Sequence, residues 1–314
     1  TNHTNINVDV SDLKNLLPDL SQIYCEPFSD SSQLPTYMIS KKISNHLKVA
    51  LSGDGGDELF GGYNRYVYSN MINKIQFLPK FLRKSLFNNN KNFIGDTISY
   101  IYSILLNENY NITEKKVYKF FNIISKITRD VKYIDILSNS NFDKILNKNY
   151  IYDIKFRNEF ISKKLPNNIL VNDFKYYLPD DILTKVDRAS MSNSIEIRAP
   201  FLSTALIEHS FSINNKFKVR GLKGKYILQN LMKRNFNNNF LSYSKKGFSI
   251  PLNQWMKSDL NAFFKDLLFS KGKSSEFFDD NSLKELWNKF MSNKFDYSEQ
   301  IWSIVLFKSW YENQ

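Results

Sequence analysis

The chain has 314 residues, of which 42% are hydrophobic and 15% aromatic, enough for one large domain or two modest ones. Polar residues interrupt every apolar stretch before the roughly 20 residues that a membrane-spanning helix needs, so we expect no membrane partner. The net charge of +12 is scattered along the sequence and not gathered in a nucleic-acid motif, which argues against nucleic acid as the partner.

The cysteine content indicates the redox compartment, and the first residues indicate whether the chain is a piece of a longer protein. Cys25 is the single cysteine, so the chain has no intrachain disulfide, and a reducing cytoplasm is the expected location. The sequence starts with Thr1 and shows no basic-then-apolar leader pattern. We therefore expect a piece of a longer protein.

The first seventy residues show the pattern of a parallel α/β unit. Polar and apolar residues alternate over residues 5–10, which predicts a strand. Helical spacing then occurs twice, in the set Leu13, Leu16, Leu17 and Leu20 behind a cap at Ser11, and in the set Tyr37, Ile39, Ile43 and Leu47. Residues 49–51 predict a buried strand. The order strand, helix, strand is typical of a parallel sheet, whose ligands bind at the carboxyl ends of the strands.

The pattern changes after about residue 70. Aromatic-rich helical segments follow, separated by asparagine-rich breaks such as residues 88–90 and 237–239. We predict a partial α/β core over residues 1–75 and a helical remainder of the same domain over residues 76–314.

The segment LSGDGGDELFGGY, residues 51–63, holds five of the ten glycines in the chain. Glycine is favoured where the backbone must adopt positive φ or approach a ligand closely. Backbone amides at a turn from strand to helix converge on anions. Gly53, Gly55 and Gly56 therefore suit a turn close to a phosphate.

Three carboxylates lie among these glycines. A carboxylate at about 4 Å from a phosphate oxygen is repelled by roughly 4 kcal/mol unless a cation lies between them. Mg²⁺ binds through carboxylates together with phosphate oxygens, which favours Asp57, with Glu58, as metal ligands and Asp54 beside the same site. The alternative is a glycine-rich turn whose acidic residues only cap a helix.

Residues 52–63 closely resemble the signature of the synthetase domain of glutamine-hydrolysing asparagine synthetases. Residues 26–33, 183–191, 196–202 and 245–251 resemble further blocks of this family, in the same order. The resemblance implies an α/β fold with a Rossmann-like parallel sheet of the ATP-pyrophosphatase type, incomplete at its N-terminus, in which residues 1–75 are part of the nucleotide-binding core. It also implies the reaction. ATP adenylates the aspartate side chain, pyrophosphate leaves with Mg²⁺, and ammonia displaces AMP to give asparagine.

The same resemblance implies a role for individual residues. Asp54 is the expected acid in forming or aminolysing the acyl-adenylate, and Lys245 is expected to stabilise charge at the α-phosphate. The residues expected to bind the nucleotide are Ser52, Gly53, Gly55 and Arg188. The expected ligands of Mg²⁺ are Asp57 and Glu58.

Two family features are missing from the sequence. They are the upstream nucleotide-binding loop Ser-Gly-Gly-x-Asp-Ser and the glutaminase domain with its terminal cysteine nucleophile. We therefore expect a longer parent whose glutaminase domain supplies ammonia, and an isolated chain that is inactive. An amidotransferase for another carboxylate, such as a sugar acid of surface polysaccharide, and a piece with no catalysis of its own are the alternatives. The motifs decide neither the acceptor nor whether a homodimer forms.

Overall fold

A computed structural model of the chain describes residues 3–67, 69, 79, 142, 145–147, 167–221, 223–236, 248, 250–292 and 296–314. Its helices in the first two thirds of the chain are α1 (Val10–Tyr24), α2 (Gln33–Ser44), α3 (Gly56–Phe60), α4 (Asn167–Asn172), a π-helix (Asp173–Leu183), α5 (Thr184–Met191), α6 (Thr204–Ser212) and α7 (Asn215–Lys218). The later helices are α8 (Tyr226–Asn235), α9 (Leu252–Lys257), α10 (Asn261–Phe269), α11 (Asp280–Met291) and α12 (Ser298–Glu312). Short 3₁₀ turns lie at Pro200–Leu202 and Lys273–Phe277. Within the described residues, no helix is both long and apolar enough to cross a bilayer.

A helix begins where the sequence predicts the end of a strand. Residues 3–9 have no regular structure, and α1 begins at Val10 because Asp9 caps it. The Asp9 carboxylate accepts from the amides of Ser11 at 2.8 Å and Asp12 at 3.0 Å, and the Asp12 carboxylate accepts from the Asp9 amide at 2.9 Å. This reciprocal cap outweighs the alternating pattern. The predicted strand over residues 5–10 and the predicted cap at Ser11 are therefore wrong, whereas the predicted helix is confirmed.

Two short parallel strands form the sheet in the described part of the chain. They are β1 (Val49–Leu51) and β2 (Glu196–Arg198), paired with Ala50 opposite Ile197. The predicted strand at residues 49–51 is confirmed, but its predicted burial is wrong, since Val49 is 41% and Leu51 74% exposed. The described residues place β2 on one edge of β1 and leave these apolar side chains uncovered. The protein is therefore a mostly helical α/β structure with a small parallel sheet.

The main apolar core joins α1 to the C-terminal helices α9–α12. Leu13 and Leu17 on α1 lie in the same cluster as Phe264 on α10 and Trp302 on α12, and each of the four is at most 1% exposed. The rings of Phe264 and Trp302 lie 6.0 Å apart. The N-terminal helix is thus part of the C-terminal core. The predicted boundary between residues 75 and 76 falls outside the described residues and stays a prediction.

Candidate active site

The glycine-rich segment turns directly from β1 into α3, as its pattern predicts. The amide of Ser52 donates to the Arg198 carbonyl at 2.9 Å, which anchors the start of the turn to β2. Gly55 has φ of 84°, and a Cβ built there would lie 2.3 Å from Leu202 Cδ2. Glycine is therefore required at this position by both conformation and space. Gly53 differs, because no atom lies within 4 Å of a Cβ built there, so its backbone is open to a ligand.

A second glycine-containing segment packs against this turn. The amide of Lys225 lies within hydrogen-bond distance of the carbonyls of Phe60 and Gly61, at 3.1 Å and 3.3 Å. A Cβ on Gly224 would lie 2.3 Å from the Gly61 oxygen, so only glycine permits this approach. The side chain of Lys225 then reaches Asp57, with Nζ 3.2 Å from Oδ2. Lys225 is not among the site residues predicted from the sequence, and its one local signal is the Gly-Lys pair at residues 224–225.

Asp57 and Glu58 lie in different environments although they are adjacent in sequence. The side chain of Asp57 is 24% exposed beside Lys225. Glu58 is 1% exposed, and its carboxylate accepts from the Tyr63 hydroxyl at 2.5 Å. Burial raises the pKa of Glu58, although the Tyr63 hydrogen bond acts in the opposite direction. This separation favours Asp57 alone as a metal ligand and gives Glu58 a role in supporting the turn.

The carboxylates described here do not by themselves form a metal centre. Among the described residues, no group of three or more histidine, cysteine, aspartate or glutamate side chains is placed to hold a metal ion. Mg²⁺ commonly keeps several waters and binds through one or two carboxylates plus substrate phosphates. Asp57 fits such a site only if phosphate oxygens supply the other ligands.

A polar and aromatic layer packs beside the turn. We call Glu58, Tyr63, Arg65, Asp173 and Tyr177 the tyrosine–arginine layer. Arg65 Nε donates to Asp173 at 2.7 Å, and its guanidinium lies 4.0 Å and 4.4 Å from the ring centroids of Tyr63 and Tyr177. Burial opposes the charge on Arg65, but the Asp173 carboxylate and the neighbouring tyrosines together raise the pKa of Arg65 above its ordinary value. The layer ties the π-helix to the chain that leaves α3.

A cavity of about 510 Å³ lies beside the sheet, between the turn that follows β1 and residues 196–199 in and after β2. Its polar lining comes from three separate segments and comprises Ser52, Asp54, Thr184, Asp187, Arg188, Ser190 and Glu196. The cavity also has an apolar wall, which includes Leu183, Val186 and Met191. The structure thus brings together Ser52, Asp54 and Arg188, which the sequence analysis places in one site.

Ser52 and Arg188 differ in how their side chains are held in the cavity. The hydroxyl oxygen of Ser52 is buried and has no hydrogen-bond partner in the described structure. A buried polar atom without a partner is unfavourable. Arg188 is held in place, because its Nη1 donates to the Tyr24 carbonyl at 3.1 Å. Lys245, the other predicted catalytic residue, lies outside the described residues.

Comparison with known proteins places these features in a family. The family model described as asparagine synthase matches residues 1–312. Asparagine synthetase (glutamine-hydrolyzing) 1 of Bacillus subtilis is 25% identical over 95% of this chain and 45% of its own length. A putative asparagine synthetase (glutamine-hydrolyzing) of Mycobacterium tuberculosis is 22% identical over 94% of the chain and 44% of its own length. Another of Methanocaldococcus jannaschii is 33% identical over 61% of the chain and 35% of its own length.

These matches cover most of this chain but less than half of each relative. No solved structure matches the chain. The chain spans less than half the length of the curated relatives that it matches. The family match nevertheless covers nearly every residue, including the glycine-rich turn and the segments that line the cavity. The chain belongs to the asparagine synthase family.

Proposed function

We propose that this chain is the synthetase part of an enzyme that converts aspartate to asparagine with ATP, through a β-aspartyl adenylate, using ammonia that a glutaminase domain of the parent protein releases from glutamine. One observation carries the proposal. Ser52 and Asp54, which follow the carboxyl end of β1, line one cavity with Arg188 of α5 in a chain that belongs to this family. Ligands of α/β sheets bind at that edge.

The first chemical step joins aspartate to the nucleotide. An oxygen of the aspartate side chain attacks the α-phosphorus of ATP, and the bond to pyrophosphate breaks. We propose that the Ser52 hydroxyl and the open Gly53 backbone bind the adenylate, with Gly55 shaping the turn. Arg188 balances negative charge on the reacting groups. Lys245 would act on the same charge at the α-phosphate.

The departing pyrophosphate needs positive charge beside the turn. Asp57 is the residue that would hold Mg²⁺, which supplies charge neutralisation for the pyrophosphate oxygens when bound. Lys225 lies against Asp57 and would contact the same oxygens. The ammonium of Lys225 offsets the negative charge of Asp57 until the pyrophosphate and its cation are present.

The second step releases AMP. Ammonia attacks the acyl carbon of the adenylate, the bond to AMP breaks, and the new amide nitrogen loses a proton. Asp54 lines the cavity and is the carboxylate that we propose for accepting this proton or stabilising the ammonium that precedes its loss.

The charge of the cavity favours an amino acid as the acceptor. Asp54, Asp187 and Glu196 line it together with Arg188. Glu196 also pairs with Arg198 at 2.8 Å, but that pair is largely exposed and therefore screened. An acceptor that carries an ammonium group suits such a lining better than a sugar acid does. Aspartate is therefore the leading acceptor, and a sugar acid is the alternative.

Acceptor-dependent release of pyrophosphate tests the proposal. The parent protein is incubated with ATP, Mg²⁺ and ammonia, with aspartate, with glucuronate, or without acceptor. We expect release with aspartate and the formation of asparagine. Release with glucuronate alone would establish the alternative acceptor class, and no release with either would contradict an adenylating function.

A further inference from the structure

Two carboxylates and one ammonium meet behind the candidate site. Lys185 Nζ donates to Asp30 Oδ2 at 2.5 Å, and their side chains are 9% and 20% exposed. Asp181 lies four residues before Lys185, and the Asp30 charge acts on its carboxyl. Its Oδ1 is buried and has no partner in the described structure. A buried carboxylate oxygen without a partner is unfavourable in its charged form, so this environment favours a protonated Asp181.

These three residues connect the elements that form the cavity wall. Asp181 lies near the end of the π-helix, and Lys185 lies in the first turn of α5. Asp30 precedes α2 and accepts from the Ser32 amide and hydroxyl, both at 2.8 Å. The hydroxyl of Tyr24 also donates to the Lys185 carbonyl at 3.3 Å. The cluster therefore fixes α5 against α1 and the start of α2.

The wall that this cluster supports carries the residues that face the ligand. Thr184, Asp187 and Arg188 line the cavity and belong to α5, within three residues of Lys185. A shift of α5 would move all three. With Asp30 and Lys185 charged and Asp181 protonated, the cluster is neutral. Loss of the proton leaves one buried negative charge without a counterion.

We propose that Asp30, Asp181 and Lys185 are positioning residues that hold α5 in its ligand-binding place as long as Asp181 carries a proton. The assignment of the ligand rests on the proposed function, because the cavity wall is the same. The positioning role itself is a property of the fold. It predicts that α5 loosens as the pH rises toward and through neutrality and that nucleotide affinity falls with it.

The ionisation of the cluster supports this assignment. Burial and the neighbouring Asp30 charge raise the pKa of Asp181 to about 7. Burial opposes the charge of Asp30, but the Lys185 ammonium and the hydrogen bonds from Ser32 together lower the pKa of Asp30. Four other titratable groups interact electrostatically with the cluster from the surrounding elements, namely Tyr24, Arg65, Tyr177 and Glu299. Burial raises the pKa of both tyrosines, so they stay neutral near pH 7.

Hydrogen exchange of the α5 amides tests the proposal in the 314-residue chain. Exchange is measured from about pH 6 to about pH 8 and corrected for the intrinsic rate. The variants are Asp181→Asn, which keeps a neutral donor toward Asp30, and Asp180→Asn as the matched control. Asp180 is the exposed neighbour, so its variant has the same chemical change. Glu299→Gln tests whether Glu299 carries the pH dependence.

The outcomes separate the positioning role from the proposed ligand. We expect the protection of α5 to fall about tenfold over this range in the unmodified chain and in Asp180→Asn, but not in Asp181→Asn. Equal pH dependence in all variants, or its loss in Glu299→Gln, would overturn the proposal. Calorimetry with AMP at the two pH limits is the second measurement. Absence of AMP binding in every variant at the lower pH would count against a nucleotide site formed by these 314 residues alone, and it would leave the exchange result to decide the role of the cluster.

Discussion

The apolar core around Trp302 and the tyrosine–arginine layer beside the glycine-rich turn are both buried, but different forces hold them. Leu13, Leu17, Phe264 and Trp302 contact other apolar side chains, so each contributes in proportion to the surface that it buries. The layer instead contains an ion pair and a guanidinium between two tyrosine rings. Its stability depends on every partner being present.

This difference indicates which of the two regions tolerates substitution of its side chains. Cores accept changes of hydrophobic side chain at a graded cost when volume is kept. Removing the partner of a buried charge is instead strongly destabilising in a single step. The turn that bears Asp54 and Asp57 leads directly into the polar layer. The position of the candidate catalytic carboxylates is thus set by the less tolerant of the two regions.

The largest expected effect on stability comes from breaking the ion pair of the polar layer. Asp173→Asn removes the charge that faces Arg65, whose partner carboxylate is fully buried. We expect a loss of about 3 to 5 kcal/mol in the free energy of unfolding, because Arg65 is left without its counterion. Urea denaturation followed by circular dichroism measures it. Asp280→Asn is the control, since Asp280 pairs with Lys271 at an exposed site and should change little.

A cavity in the apolar core should cost somewhat less. Leu17→Ala removes a side chain that is 1% exposed, and we expect a loss of about 3 kcal/mol in the same denaturation measurement. Leu231→Ala, at a position that is 55% exposed on α8, is the control for the same chemical change. A larger loss for Leu17→Ala than for Asp173→Asn would reverse the ranking of the two regions.

A third variant tests whether the turn serves function and not stability. Asp57→Asn in the parent enzyme should lower pyrophosphate release at least about 100-fold and increase the Mg²⁺ concentration required, because a neutral amide is a poor ligand. The free energy of unfolding should change by less than about 1 kcal/mol, since Asp57 is partly exposed. Asp19→Asn, at an exposed position on α1, is the control. Normal turnover of the Asp57 variant would refute the metal role.

The sequence was informative where the signal is local. Five clustered glycines after residues 49–51 predict the turn, and leucine spacing predicts α1. The wrong prediction of a strand at residues 5–10 also has a local cause, because the alternating pattern favours a strand there whereas the Asp9 cap favours a helix. The helix begins at Val10. The expected burial of β1 failed because three apolar residues carry no information about what covers them.

The pairs that build the site are distant in sequence, and this is why the sequence analysis missed them. Asp30 and Lys185 lie 155 residues apart, and Arg65 and Asp173 lie 108 apart. Each looks like an ordinary surface charge on its own, and nothing in one sequence indicates its partner. The same holds for Lys225, whose contact with Asp57 depends on how Gly224 packs against Gly61. Sequence motifs thus located the cavity, and only tertiary packing reveals what holds it in place.

The smallest expected effect on stability comes from removing one hydrogen bond of the tyrosine–arginine layer. Tyr63→Phe keeps the ring beside Arg65 but removes the hydroxyl that donates to Glu58. We expect a loss of about 1 kcal/mol in the free energy of unfolding. Tyr226→Phe, which removes an exposed hydroxyl paired with Arg220, is the control.

The pH dependence of the free energy of unfolding tests the Tyr63 hydrogen bond more sharply than the size of the stability loss does. Burial raises the pKa of Glu58, so the folded chain binds more protons than the unfolded chain just above the ordinary pKa of glutamate. Stability therefore falls as pH rises through that window. The Tyr63 hydroxyl lowers the pKa of Glu58, and its removal should raise that pKa further and make the fall steeper. An unchanged slope in Tyr63→Phe would mean that Glu58 does not depend on Tyr63, and that the layer tolerates loss of a partner as the apolar core does.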